Sequence, residues 1–134
     1  RAAVFQSLSI EAVRQRPGLA SLEAAEWSVL RQNAAQPDEV VAWRRCLGEP
    51  QPPLIEEPAF LVAAARLMPE RLDDAAAAAS WLKAVQRETG RKGRALYHPI
   101  RLALTGRGDG PKLSDLLPLL GRERAYRRLM GETA

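Results

Sequence analysis

The stretch PDEVVAWRRCLG, residues 37–48, carries a helix from its start signal to its stop signal. Pro37 suits a first helical position, where a missing N–H costs nothing, and Asp38 and Glu39 follow beside the positive end of the helix dipole. Val40, Val41, Trp43 and Leu47 supply apolar contacts, Arg44 and Arg45 occupy the last turn, and Gly48 closes it. On either side the same punctuation recurs. Residues 2–15 place Val4, Phe5, Leu8 and Ala12 at helical spacing before Pro17-Gly18 ends the segment. Ser21 is the expected N-cap of a helix reaching Asn33, with Leu22, Ala25, Val29 and Leu30 on its apolar face. Glu49 to Pro58 holds four prolines and reads as a stiff connector. A helix is then expected from Pro58 through Phe60, Leu61, Ala64 and Leu67 to Pro69. Another runs from an Asp73 cap through Ala75–Ala79, Trp81, Leu82 and Val85 to Gly90. The alanine run looks low in complexity, but alanine has the best helix propensity and lets helices approach closely.

Composition agrees. Ala (23) and Leu (19) make up nearly a third of the 134 residues, whereas Val, Ile and Thr together number 13. Sheets draw on the second group, so the expected fold class is all-α. The longest apolar run, Ala59 to Ala65, is far short of the roughly 20 residues that span a membrane. Cys46, the single cysteine, excludes an internal disulfide and fits a reducing compartment, so a cytoplasmic location is expected. The chain opens at Arg1 and looks cut from something longer.

The last 45 residues read differently. Arg91-Lys92-Gly93-Arg94 is a short basic loop; Leu96, Ile100, Ala103 and Leu104 then define an apolar face with Arg101 pointing away from it. Pro99 requires that helix to start near His98-Pro99 or to kink there. Gly106, Gly108 and Gly110 precede Pro111, and a leucine-rich helix from Leu113 to Leu120 carries its own proline, Pro118. Arg122 to Met130 returns as a basic helix with Ala125, Tyr126 and Leu129 inward. Short kinked helices of this kind form an irregular bundle, either one body or two small subdomains. Residues 1–89 carry a net −2 and residues 90–134 a net +6. The expected division is therefore a helical subdomain over 1–89 and a basic helical subdomain over 90–134, a footprint suited to nucleic acid.

Catalytic chemistry finds little to work with. His98 is the only histidine and sits among apolar residues; Ser114 has no histidine in its own segment and reads as a helix cap. One Cys and one His cannot assemble a Cys/His zinc site. Gly106-Arg107-Gly108-Asp109-Gly110-Pro111-Lys112 lacks the Gly-Lys-Ser/Thr of a phosphate loop and the third glycine of a dinucleotide fingerprint. It remains a loop whose backbone can approach a ligand closely, flanked by Arg101, Arg107 and Lys112. Exposed amides and cations there could receive the bases and phosphates of a single-stranded RNA loop, or simply join two helices. A helical protein-interaction module whose basic tail meets acidic partners is the competing reading.

The run from Gly90 to Gly106, GRKGRALYHPIRLALTG, continues into Gly110-Pro111 and then Leu116-Leu117-Pro118-Leu119-Leu120-Gly121-Arg122-Glu123-Arg124. It closely resembles the C-terminal end of bacterial glutamyl-tRNA synthetases, of the proteobacterial type. Those enzymes typically show G-x-K-G-x-x-L-F-x-P-L-R-x-A-L-T-G, a short loop, a leucine-rich helix and L-G-x-x-R. Upstream, Leu30-Arg31-Gln32-Asn33, the helix bearing Trp43, and Leu54-Ile55-Glu56 before Phe60-Leu61 are similar to the same family. Tyr97-His98 departs from the usual Phe followed by Met or Gln, and residues 31–34 depart from the more widespread arginine-containing pattern.

The resemblance implies an anticodon-binding domain of a class I aminoacyl-tRNA synthetase, with tRNA as partner through its anticodon loop. It also implies that the catalytic domain of the same parent chain, with ATP and Mg, lies outside this chain, because the family's catalytic signatures are absent. No catalytic residue, metal or cofactor is expected here. By the family's motif Arg101 is placed to bond an anticodon base or its phosphate, and Gly110, Pro111 and Leu113 form the wall on which bases rest. Lys92, Arg94 and Arg107 are expected phosphate contacts. An arginine on the helix ending near Asn33 reads the first anticodon base in that family. Arg31 is the expected counterpart here, because helical geometry turns Asn33 inward and Arg31 outward, with Gln32 and Asn33 as the alternative registers.

Overall fold

The computed structural model describes residues 2–134, and every regular element among them is a helix. The chain divides into two compact units, Arg1–Glu49 and Pro50–Ala134. That boundary falls in the proline-rich connector, not at the 89/90 change of charge from which the sequence division was drawn. The physical reason is packing, described below: the helix that ends the acidic part lies against a helix of the basic part.

The first unit holds α1 (Ala2–Gln6), α2 (Ile10–Val13), α3 (Ala24–Leu30) and α4 (Pro37–Gly48). The expected single helix over residues 2–15 is two, because Ser9 is extended and its hydroxyl accepts from Ala12 N at 3.2 Å, starting a new helix. Ser21 is not the cap of α3. Glu23 holds that position, its N–H donating to the Glu26 carboxylate at 2.9 Å, while the Ser21 hydroxyl accepts from Arg44 at 3.1 Å. Trp27 anchors the core: its indole N–H donates to the Leu8 carbonyl at 3.0 Å and Phe5 meets its ring edge-on at 5.4 Å. Leu19, Leu22, Leu30, Val40 and Trp43 are buried in the same unit. The bounds of α4 are those its sequence signals announce.

The second unit holds α5 (Pro58–Arg66), α6 (Ala75–Thr89), α7 (Arg94–Thr105), α8 (Leu113–Leu120) and α9 (Arg122–Leu129). Its most extensive packing is α6 against α8, with α9 against α5, α7 and α8. Asp74, not Asp73, caps α6, accepting from Ala77 N at 2.8 Å. The alanine run is the start of that helix, and Ala78 is wholly buried. Trp81 fixes α6 to α5 by donating its indole N–H to the Ala64 carbonyl at 2.8 Å. At the other end, Arg128 of α9 is 1% exposed and donates to the backbone oxygens of Ala134 at 2.8 Å and Leu104 at 2.7 Å. The basic composition of α9 gave no hint that one of its arginines belongs to the core.

Helix α7 begins at Arg94 and carries Pro99 inside it, so the helix does not start at His98-Pro99. A proline there leaves the carbonyl four residues back, Ala95, without its helical donor. Arg91 supplies one: its guanidinium donates to the Ala95 carbonyl at 3.1 Å. The same guanidinium lies 4.0 Å from the Phe60 ring centroid and pairs with Glu57 at 2.6 Å. Hydrogen bonding to Arg91 lowers the Glu57 carboxyl below its ordinary range, and Arg91 is raised in turn. One arginine thus repairs a proline-broken ladder and ties α7 to α5.

The indole bond of Trp81 is buried. Trp81→Phe should cost about 1–3 kcal/mol, combining a lost buried hydrogen bond with a partial cavity. Urea unfolding of the full chain checks this; an unchanged midpoint would remove the α5–α6 tie from the account.

Candidate nucleic-acid interface

The glycine-rich loop and the helices beside it form the interface candidate within the second unit. α7 ends at Gly106, whose φ of 72° is left-handed, a conformation that L side chains rarely adopt. Thr105 completes the stop: its hydroxyl bonds the Arg101 carbonyl at 2.8 Å and accepts from Arg107 N at 3.1 Å. The loop then returns, and the guanidinium of Arg101 donates to the Pro111 carbonyl at 2.9 Å. That bond joins residues ten positions apart in the chain. It sets the start of α8 beside the middle of α7.

Arg101 is therefore half-buried and does not simply point away from the apolar face. Burial lowers its pKa from the ordinary arginine value, partly offset by Asp109 nearby, and it stays charged at any physiological pH. Pro111 is buried and Leu113 is 2% exposed, so these two are not an open wall for bases. Pro111 contributes its carbonyl to Arg101; Leu113 lines a cleft of about 400 Å³ together with Leu82, Lys83, Tyr97, Arg101 and Lys112. Gly110 is half-buried in the loop beside them. Lys92 and Arg94 are exposed at the entrance to α7, with an Arg94 nitrogen 3.4 Å from His98 Nε2, and Arg107 is half-buried. The His98 ring also lies 3.4 Å from where a Cβ on Gly108 would stand, so this loop glycine runs close over α7. Ser114 lies within α8, 8% exposed, and Lys112 precedes the helix in the cap position.

Arg31 lies elsewhere, in the first unit. Helix α3 ends at Leu30 with Arg31 as its C-cap, and Arg31 keeps right-handed helical angles, its N–H donating to the Trp27 carbonyl at 2.9 Å. Arg31 is half-buried, while Gln32 and Asn33 are exposed. The Arg31 guanidinium donates to the Gln6 carbonyl at 2.9 Å and the Leu8 carbonyl at 2.8 Å, and lies 4.8 Å from the Trp27 ring centroid. Its geometry is that of a residue holding α1 and the following turn against α3.

Two residues of the cleft escaped the sequence reading. Lys83 belongs to the acidic part of the chain, where charge gave no reason to look, and it reaches the basic part only through α6–α8 packing. Tyr97 was read only as a departure from a motif, yet it is a large aromatic side chain left 41% exposed. Among the described residues no three His, Cys, Asp or Glu side chains are grouped to hold a metal ion, and no helix is long and apolar enough to cross a membrane.

Comparison with known proteins covers the same region. Residues 56–131 match the model of the anticodon binding domain family. A glutamate–tRNA ligase 2 of Methylorubrum populi is 49% identical over 139 residues, covering 99% of this chain and 30% of the relative. A glutamate–tRNA ligase 2 of a Methylobacterium species is 49% identical over 124 residues, covering 88% of the chain and 28% of that protein. A glutamate–tRNA ligase 1 of Parvibaculum lavamentivorans is 43% identical over 122 residues, covering 88% and 27%. The chain thus spans under a third of the length of these relatives. The family match takes in α5 to α9, and with them the Arg101–Pro111 closure and the cleft it shapes: the chain belongs to the anticodon binding domain family.

Proposed function

We propose that this chain is the anticodon-binding part of a glutamate–tRNA ligase and that it grips the anticodon loop of a tRNA. One observation carries the reading: within the family-matched segment, Arg101 is held by the Pro111 carbonyl beside a cation-rimmed cleft. A guanidinium with one donor fixed and the others available is suited to a base edge or phosphate, because its planar fork keeps its geometry when it binds. The catalytic step, with ATP, glutamate and Mg, belongs in this reading to a domain outside the chain, and the cytoplasm is where such an enzyme works. This chain contributes position: it holds one end of the tRNA so that the other reaches the active site.

Contacts divide by kind. Lys92 and Arg94 on the entrance to α7, and Arg107 in the loop, serve phosphates, which fix register and carry no base preference. Arg101, with Gly110, Pro111 and Leu113 shaping the surface around it, serves the unstacked bases. Arg31 is left out of this set, because its guanidinium already holds two carbonyls and a tryptophan face.

The test is binding of a labelled anticodon stem-loop against a duplex of equal charge. A clear preference for the loop is expected; indifference would favour a general basic surface or a protein-interaction role. Arg101→Ala should weaken loop binding by about 1–3 kcal/mol, the scale of one good arginine contact, with the helical circular-dichroism signal intact. Parallel loss of binding and of fold would make Arg101 a structural residue only. Neutralising Lys92 or Arg94 should each lower the slope of log affinity against log salt by about 0.7, as for single-stranded RNA, without changing base preference. An unchanged slope would remove that residue from the interface.

A further inference from the structure

The cleft between α6, α7 and α8 has features that gripping a phosphate backbone does not require. Its volume, about 400 Å³, falls in the range of roughly 300–1,000 Å³ typical of small-molecule sites. Three cations line it from three elements: Lys83 on α6, Arg101 on α7 and Lys112 at the start of α8. Lys83 and Lys112 are exposed and make no ion pair among the described residues; Asp109 is the carboxylate that bears on Arg101. The floor is apolar, with Leu82 and Leu113 6% and 2% exposed. Tyr97 lines the cleft with 41% of its surface open.

An exposed aromatic ring beside cations and over an apolar floor has a specific ligand chemistry. A nucleobase offers a flat face to the ring and an apolar body to the floor, and the attached phosphate offers charge to the lysines. A free carboxylate or phosphate would leave the ring and the leucines unused. An aliphatic side chain would leave three cations facing it without a partner.

We infer that this cleft receives one unstacked nucleotide, its base laid on the Tyr97 ring and its phosphate held between Lys83 and Lys112. The inference rests on the anticodon-loop reading and adds to it two residues, Tyr97 and Lys83. The α6 helix becomes part of the RNA-binding surface although it lies outside the basic third of the chain.

The experiment measures binding of an anticodon stem-loop, with 2-aminopurine replacing one anticodon base at a time, to the full 134-residue chain and to three variants. For the wild type, one substituted position should change fluorescence on binding as its base stacks. Tyr97→Ala should abolish that change and weaken binding roughly 5- to 150-fold, the range of one base stacked on an aromatic ring. Tyr97→Phe keeps the face and should bind within about twofold of wild type, which separates stacking from a folding defect. Lys83→Gln should lower the salt slope by about 0.7 and leave the fluorescence change in place. If the wild type binds the loop and Tyr97→Ala and Lys83→Gln bind identically, the cleft is not a nucleotide site and the wider reading stands. If the wild type does not prefer the loop to a duplex, the wider reading falls and this inference falls with it.

Discussion

A single hydrogen bond, from the guanidinium of Arg101 to the carbonyl of Pro111, organises the α7–α8 loop of the second unit. It spans the glycine-rich segment from Gly106 to Gly110, which Thr105 holds at its start through Arg107 N. The bond holds Pro111, just before α8, to Arg101 within α7, and Arg101 and Leu113 line one cleft. The bond also places the cation: Arg101 is half-buried, directed by a fixed acceptor, and its remaining donors are confined to a small range of directions. A preorganised arginine loses less freedom on binding than a surface one, and such a residue is the best placed to contribute energy that depends on what is bound.

The arginines of this chain are not equivalent, and net charge alone would mislead about them. Arg31 holds two carbonyls in the first unit; Arg44 holds Glu26 and Ser21; Arg91 repairs the gap made by Pro99; Arg122 donates to the Pro69 carbonyl at 2.6 Å; Arg128 is in the core. These side chains are part of the scaffold. The lysines are placed differently: Lys83, Lys92 and Lys112 are all exposed. Arginine's fork suits fixed backbone acceptors, whereas a lysine on a flexible stem suits a phosphate that can arrive from several directions. The division of labour follows from the two side chains' chemistry.

Much of the fold was legible because helix ends carry local signals. Pro37 and Gly48 bound α4 where they stand, and the alanine run behaves as its propensity requires. What could not be read locally was whatever depends on a distant acceptor. Ser21 looks like a cap until Arg44, 23 residues away, takes its hydroxyl. Pro99 reads as a helix start or a kink, whereas α7 runs through it and Arg91 serves the carbonyl that the proline leaves without a helical donor. The charge boundary at residue 89 suggested a division that the α6–α8 packing overrides. For the site, motif resemblance led to Arg101 and the loop, but not to the Arg101–Pro111 bond or to the burial of Pro111 and Leu113. It did not lead to Tyr97 or Lys83, whose significance lies in their exposure and in the helix packing that brings them together. The Arg31 guanidinium, expected to face outward, holds the Gln6 and Leu8 carbonyls 25 and 23 residues away, which no local pattern announces.

In the proposed function, RNA meets this chain on one continuous patch around the α7–α8 loop. Amide chemical-shift mapping of the isotopically labelled chain, titrated with an unlabelled anticodon stem-loop, tests it most directly. The largest changes should fall at Tyr97, Arg101 and residues 107–114, with Lys83 joining them from α6. Changes confined to the first unit, or to α9 and the residues after it, would contradict the account.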